Sequence, residues 1–226
     1  MCGRYVLANN LSQISMRFDA TVSADIQWPG TYNASPGQQL PVLITQNGKL
    51  TIALMKWGLF PGWATQQAGI TPSINARCET LLEKPFFRSA FRSRRCLIPA
   101  NGFYEWTTVD QKKQPHYIFP EEPLVAIAGL WEPPAPHSQF PTFAIVTQAA
   151  NNFMKQLHER MPVILTRQEE QNWMKQISIE RSWFESTASK QNNLKMTEHK
   201  VSPQMNNAKN NAPTCIMPVL SLQRLL

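Results

Sequence analysis

The second residue of this chain is a cysteine, and loss of Met1 would leave Cys2 at the amino terminus with a free α-amine beside its own thiol. The unperturbed amine titrates near about 8 and the thiol near about 8.5, so both have nucleophilic fractions close to neutral pH. Such a 1,2-aminothiol captures aldehydes. The amine forms a Schiff base, and the thiol closes on the imine carbon to give a five-membered thiazolidine. By position alone Cys2 is an ordinary second residue, and its significance depends on the groups that accompany it.

Four other places carry residue types suited to chemistry. Glu105 lies in the run Pro99-Ala100-Asn101-Gly102-Phe103-Tyr104-Glu105-Trp106. On a strand it shares a face with Phe103, and apolar neighbours would favour the protonated carboxyl that general acid-base catalysis uses; the alternative is an edge-strand carboxylate in water. His158, in Leu157-His158-Glu159-Arg160-Met161-Pro162, is followed two residues later by Arg160, a pairing that suits a phosphate-bearing substrate, although a single histidine also serves structure. Asn75 and Arg77 alternate in Ser73-Ile74-Asn75-Ala76-Arg77-Cys78-Glu79, which would project an amide and a guanidinium from one strand face, either to a ligand or to solvent. Trp57 to Trp63 form an aromatic-rich turn, and a tryptophan near basic residues either stacks on an unpaired base or belongs to the core.

Metal and disulfide chemistry is not suggested. His116, His137 and His199 are scattered without carboxylate-histidine spacing, so no metal is assigned. Cys2, Cys78, Cys96 and Cys215 lie far apart with no C-x-x-C pair, and the last three are expected to be core thiols.

The elements that must hold these groups read as a strand-heavy mixture. A strand is predicted over Met1–Leu7 and a short helix over Asn9–Asp19, where Leu11, Ile14 and Phe18 recur at helical spacing behind two asparagine caps. Trp28–Gly37 carries two prolines and two glycines and is predicted to be loop. Strands follow at Leu40–Thr45 and Leu50–Trp57. A helix over Glu83–Arg94 buries Phe86, Phe87, Ala90 and Phe91 while Arg88, Arg92 and Arg95 form a basic stripe. Further strands are expected at Cys96–Pro99, Phe103–Val109, His116–Phe119, Leu124–Leu130 and Thr142–Val146. Thr166 with Glu169 forms a capping box ahead of Trp173, Met174 and Ile177, and the C-terminal part is expected to give docked loops and a final strand anchored by Val201, Met205, Ile216, Met217 and Val219. Helices and strands do not alternate regularly, which favours α+β over a doubly wound sheet.

At 226 residues and 42% hydrophobic, one core and one domain over 1–226 are expected. The formal charge of +7 favours a polyanionic partner without demanding one. No apolar run approaches the roughly 18 residues of a membrane span. A soluble intracellular protein follows, cytoplasmic and nucleoid-associated in a bacterium, with no membrane partner.

Taken together and in order, Cys2-Gly3-Arg4-Tyr5, Tyr32-Asn33-Ala34-Ser35-Pro36, Trp57-Gly58-Leu59, Ile74 to Thr80, Arg95 to Trp106 and His158 to Pro162 resemble the SOS response-associated peptidase family, SRAP. The resemblance implies one domain of coiled β-sheets around a barrel-like core with peripheral helices, and a positive groove for single-stranded DNA. It implies that Cys2 forms the thiazolidine with the ring-opened sugar of an abasic site, with Asn75, Glu105 and His158 as its catalytic partners. Arg4, Arg77 and Arg160 carry over as phosphate binders, Arg88 and Arg92 as further basic contacts, and Asn33 and Trp63 as groove residues. No cofactor is implied, and the protein partners are unknown. The family name adds an inferred thiol peptidase activity limited to release of the residue ahead of the cysteine. Two alternatives stand beside this reading: an N-terminal-nucleophile hydrolase, whose α-amine would act as base for the thiol, and a non-covalent single-stranded nucleic-acid binder.

Overall fold

The computed structural model describes residues 2–23, 26–64, 69–135, 138–175 and 179–219. Met1, His137 and Ile177, which entered the sequence reading, lie outside them. In chain order the elements are β1 (Tyr5–Leu7), α1 (Leu11–Phe18), β2 (Thr21–Val22), β3 (Thr31–Ala34), β4 (Gln39–Gln46), β5 (Lys49–Trp57), β6 (Asn75–Arg77), α2 (Pro85–Ser93), β7 (Arg95–Ala100), β8 (Gly102–Val109), β9 (Lys112–Pro120), β10 (Val125–Glu132), β11 (Thr142–Ala149), β12 (Arg160–Pro162), β13 (Ile164–Leu165), α3 (Arg167–Met174), α4 (Arg181–Gln191) and β14 (Met196–Lys200). The fold is α+β, with extensive sheets and few helices, as the sequence predicts.

Two sheets organise the molecule. In the larger one β5, β4, β7, β10 and β11 are successive neighbours, and β11 pairs again with β5, so the sheet closes into a ring. The hairpin of β4 and β5 turns on Asn47-Gly48, both at positive φ of 51° and 76°, the backbone a tight two-residue loop requires. The smaller sheet runs β14-β9-β8-β1-β3. Its alternation divides two cores: Tyr5, Leu7, Phe103 and Ile118 join the main core with the ring, whereas Val6, Tyr104 and Tyr117 face the other way against Val201, Met205 and Cys215. Gly102 lets β8 approach β9, since a Cβ there would collide with the Ile118 carbonyl.

Four features depart from the sequence reading. Thr31–Ala34, within the stretch read as loop, forms β3 and pairs with β1, because the four residues between Gly30 and Ser35 contain neither glycine nor proline. Helix α4 was not anticipated, since its buried face includes the polar Thr187 and Gln191, the latter bonded to Gln148 and to the Ile164 carbonyl. The last described strand, β14, precedes Val201, and beyond it 3-10 turns at Pro203–Asn206 and Pro213–Ile216 dock on β9 and β3. Arg95 does not join the basic stripe. It opens β7, is buried, and donates to the carbonyls of Trp173, Phe91 and Lys175 at the end of α3 and in α2.

Candidate functional site

Strand β6 is the element that assembles the site. It adds in parallel to β11, with Asn75, Ala76 and Arg77 opposite Ile145, Val146 and Thr147. Ala76 is buried in the ring while Asn75 and Arg77 face the other way, the alternation expected of a strand. Asn75 Nδ2 donates to the Cys2 carbonyl at 3.0 Å and so fixes Cys2, and its Oδ1 is buried without a hydrogen-bond partner among the described residues. An unpaired buried acceptor is costly, and a donor delivered by substrate or by a new amine would relieve it.

Cys2 is fully buried, with Sγ 3.8 Å from the Arg4 carbonyl. Burial pushes its thiol well above the ordinary range, and the negative charge of Glu105 adds to the effect, so the thiol is held protonated. Glu105 itself, on β8, is buried at 3% exposure and shares the inner face with Phe103, as predicted from alternation. The structure therefore brings Cys2, Asn75 and Glu105 together from β6, β8 and the segment leading into β1.

His158 ends the turn after Met154–Gln156, and the Arg160 backbone N–H donates to its Nδ1 at 2.9 Å. With Nδ1 accepting, the neutral imidazole carries its hydrogen on Nε2. Arg160, on β12, is buried and engages Glu79 with both terminal nitrogens, at 2.6 and 3.0 Å, while donating to the Thr147 carbonyl at 2.8 Å. Burial is the largest single influence on the Glu79 carboxylate and works against it, but the Arg160 hydrogen bonds and charge, with backbone and Cys78 hydrogen bonds, together hold its pKa below the ordinary value. Arg77 is exposed, and no ion pair engages it among the described residues.

Arg4 is half-buried and meets only neutral groups: Asn33 Oδ1 at 2.8 Å and the carbonyls of Met205 and Asn206 at 3.5 and 3.4 Å. Desolvation lowers its pKa from the usual guanidinium value, and among the described residues no carboxylate forms an ion pair with it. Asn33 is almost fully buried, its Nδ2 reaching the carbonyls of Met205, Asn207 and Asn210 at 2.9, 3.1 and 2.8 Å. It thus ties Arg4 to the C-terminal turns, and Arg4 is the part of this hub that faces outward. Trp63 is 58% exposed and, with Pro85, Arg88, Ser89, Arg92 and Ser93 of α2, lines an open cavity of about 700 Å³.

Two groups escaped the sequence reading. Glu79 belongs to the same short segment as Arg77, yet nothing in its position reveals that it meets Arg160, some eighty residues on. His116, read as one of several scattered histidines, stands directly opposite Glu105 across β8 and β9. The β8–β9 turn at Asp110-Gln111 could have found it, because counting outward from a two-residue loop brings 105 opposite 116. Among the described residues no three His, Cys, Asp or Glu side chains are grouped to hold a metal ion.

Cys2 is thus pinned by a strand amide and faces a buried carboxylate within an α+β fold. The profile of the SOS response associated peptidase (SRAP) family matches residues 1–208, and the chain belongs to that family. It is 36% identical to the abasic site processing protein YoaM of Bacillus subtilis, over 94% of this chain and 96% of that protein. It is 28% identical to the abasic site processing protein YedK of Escherichia coli, over 97% and 100% of the two chains. The solved structure of a Bacteroides thetaiotaomicron protein superposes with a TM-score of 0.83 at 23% identity, covering 97% of this chain and all of that one.

Proposed function

We propose that this protein processes abasic sites in single-stranded DNA by bonding to them covalently through Cys2 after removal of Met1. The observation that carries the reading is the Asn75 clamp on the Cys2 carbonyl with Glu105 acting on the Cys2 thiol. The relatives named as abasic site processing proteins support the substrate.

The chemistry balances without a cofactor. The α-amine of Cys2 adds to the C1 aldehyde of the ring-opened sugar, one water leaves, and the imine forms. The thiol then adds to the imine carbon, its proton passing to the nitrogen, and the thiazolidine closes. A thiol held protonated needs a proton acceptor at that step, and Glu105 is the buried carboxylate that acts on it. His158, with its hydrogen on Nε2, serves as donor to the sugar oxygen released on ring opening. Arg4 and Arg77 bind flanking phosphates without reading sequence, and Arg160 can join them only by exchanging its Glu79 partner for a phosphate. Arg88, Arg92 and the exposed Trp63 extend this surface, the indole stacking on an unpaired base. The same Cys2 centre accounts for a peptidase activity confined to releasing Met1.

A denaturing gel tests the proposal. Wild-type protein incubated with an abasic single-stranded oligonucleotide should give a band that survives heating, and Cys2→Ala should not. A heat-stable band of equal yield from Cys2→Ala would overturn it.

A further inference from the structure

The inner face of the smaller sheet carries a polar chain beside Glu105 that the mechanism above does not use. His116 on β9 stands directly across from Glu105 on β8, and Lys200 on β14 stands across from His116 on its other side. Side chains directly opposite in an antiparallel pair point to the same face with Cβ atoms about 4.5 to 5.5 Å apart, so His116 and Glu105 leave the sheet side by side on its inner face. His116 is 4% exposed, and both its ring nitrogens are engaged: Nδ1 lies 2.8 Å from Glu198 Oε2 and Nε2 lies 2.9 Å from Thr107 Oγ1. Thr107 is two residues beyond Glu105 on the same strand and therefore on the same face. Glu198 is 30% exposed at its side chain, so the chain of contacts runs from the buried wall beside Glu105 out towards solvent.

A buried imidazole with two polar partners cannot rotate without breaking both contacts. Its ring therefore forms a fixed wall on the side of Glu105 that faces β9. With Nδ1 donating to the Glu198 carboxylate, Nε2 either accepts from the Thr107 hydroxyl or donates to it, and the ring keeps the same orientation in both cases. We infer that His116, locked between Glu198 and Thr107, is a positioning residue that holds the Glu105 carboxyl in its place against Cys2. This rests on the proposed role of Glu105 in trapping abasic sites.

The test is single-turnover cross-linking to an abasic single-stranded oligonucleotide, measured against DNA concentration. His116→Phe, which keeps the ring volume and removes both contacts, should lower the limiting rate by between about tenfold and a hundredfold, the scale of displacing a catalytic group, without moving the half-saturating DNA concentration. His116→Asn, whose amide nitrogen can still reach Glu198, should recover part of the rate. In a Glu105→Gln background His116→Phe should add nothing further. An unchanged limiting rate, or losses that multiply in the double variant, would overturn the inference. The carboxyl carbon-13 resonance of Glu105 gives a second measurement that needs no DNA chemistry. It should shift in His116→Phe if the imidazole holds the carboxyl, and an unmoved resonance rejects the positioning role. If the wild type forms no cross-link, the functional reading fails by itself and this resonance still decides the inference.

Discussion

Asn33→Ala should destabilise the protein severely, although the sequence pattern places Asn33 with the DNA-contacting residues. The side chain is 1% exposed and serves four partners at once: its Oδ1 accepts from Arg4, and its Nδ2 donates to the carbonyls of Met205, Asn207 and Asn210. Two amide hydrogens are shared among three carbonyls, so the net loss is less than three full bonds. At about 1 kcal/mol net per neutral bond, with a further contribution from the bond to the Arg4 charge, the loss comes to about 3 kcal/mol. For a chain of this size each kcal/mol moves Tm by roughly 2 to 4 °C, which predicts a drop of about 6 to 12 °C. Asn33→Asp sharpens the test. It keeps the acceptor for Arg4 and makes it an ion pair, but it turns the donor into an oxygen facing three carbonyls, so it should be no more stable than Asn33→Ala. Calorimetry reads the melting temperatures, and hydrogen exchange of residues 203–216 should show the loss concentrated in the C-terminal turns. A Tm within about 2 °C of wild type for Asn33→Ala, with unchanged exchange there, would refute the hub.

Three further outcomes follow from the site. Glu105→Gln should retain affinity for abasic DNA yet slow cross-linking by about 100-fold to 10,000-fold, and equal losses of binding and rate would deny it an acid-base role. Arg77→Ala should reduce the slope of log affinity against log salt by about 0.7, alike for oligonucleotides of different sequence, whereas an unchanged slope moves the DNA to another face. Stability should fall at both ends of the pH range. Burial raises the thiols of Cys2 and Cys96 and the phenol of Tyr5, and pushes Cys78 up to about 12. The unfolded chain therefore releases these protons first, and stability present below about pH 8.5 is lost as pH rises, beginning with the cysteines. Glu79 has the opposite sign: its carboxylate is favoured in the folded state, so its contribution is present above the ordinary carboxylate range and is lost as pH falls. Melting temperature against pH measures both limbs, and a flat profile above pH 9 would contradict the buried thiols.

The elements legible in the sequence are those whose pattern is local. The β4 and β5 strands, the Phe103–Val109 strand, the asparagine cap ahead of α1 and the capping box at Thr166 all declare themselves within a few residues. Helix α4 did not, because it buries Thr187 and Gln191, which read as surface. The candidate site residues stand out by type and by the family resemblance, but their assembly depends on pairings that no local pattern contains: β6 finds β11 some seventy residues away, and the Cys2 carbonyl finds Asn75 only because of it. Arginine is the hardest type to assign from sequence. Its fork fits phosphate and carboxylate alike, so Arg77, exposed, and Arg160, paired with Glu79, look equivalent until their neighbours are known.

The most direct test of the central claim is intact-mass and peptide-level mass spectrometry of protein incubated with an abasic single-stranded oligonucleotide and then denatured. The expected species has the mass of the chain without Met1 plus the oligonucleotide less one water, with the modification mapped to Cys2 and absent when an additional residue is left ahead of it. A modification of the same mass mapped to a lysine, or an adduct formed equally well by chains that retain Met1, would contradict it.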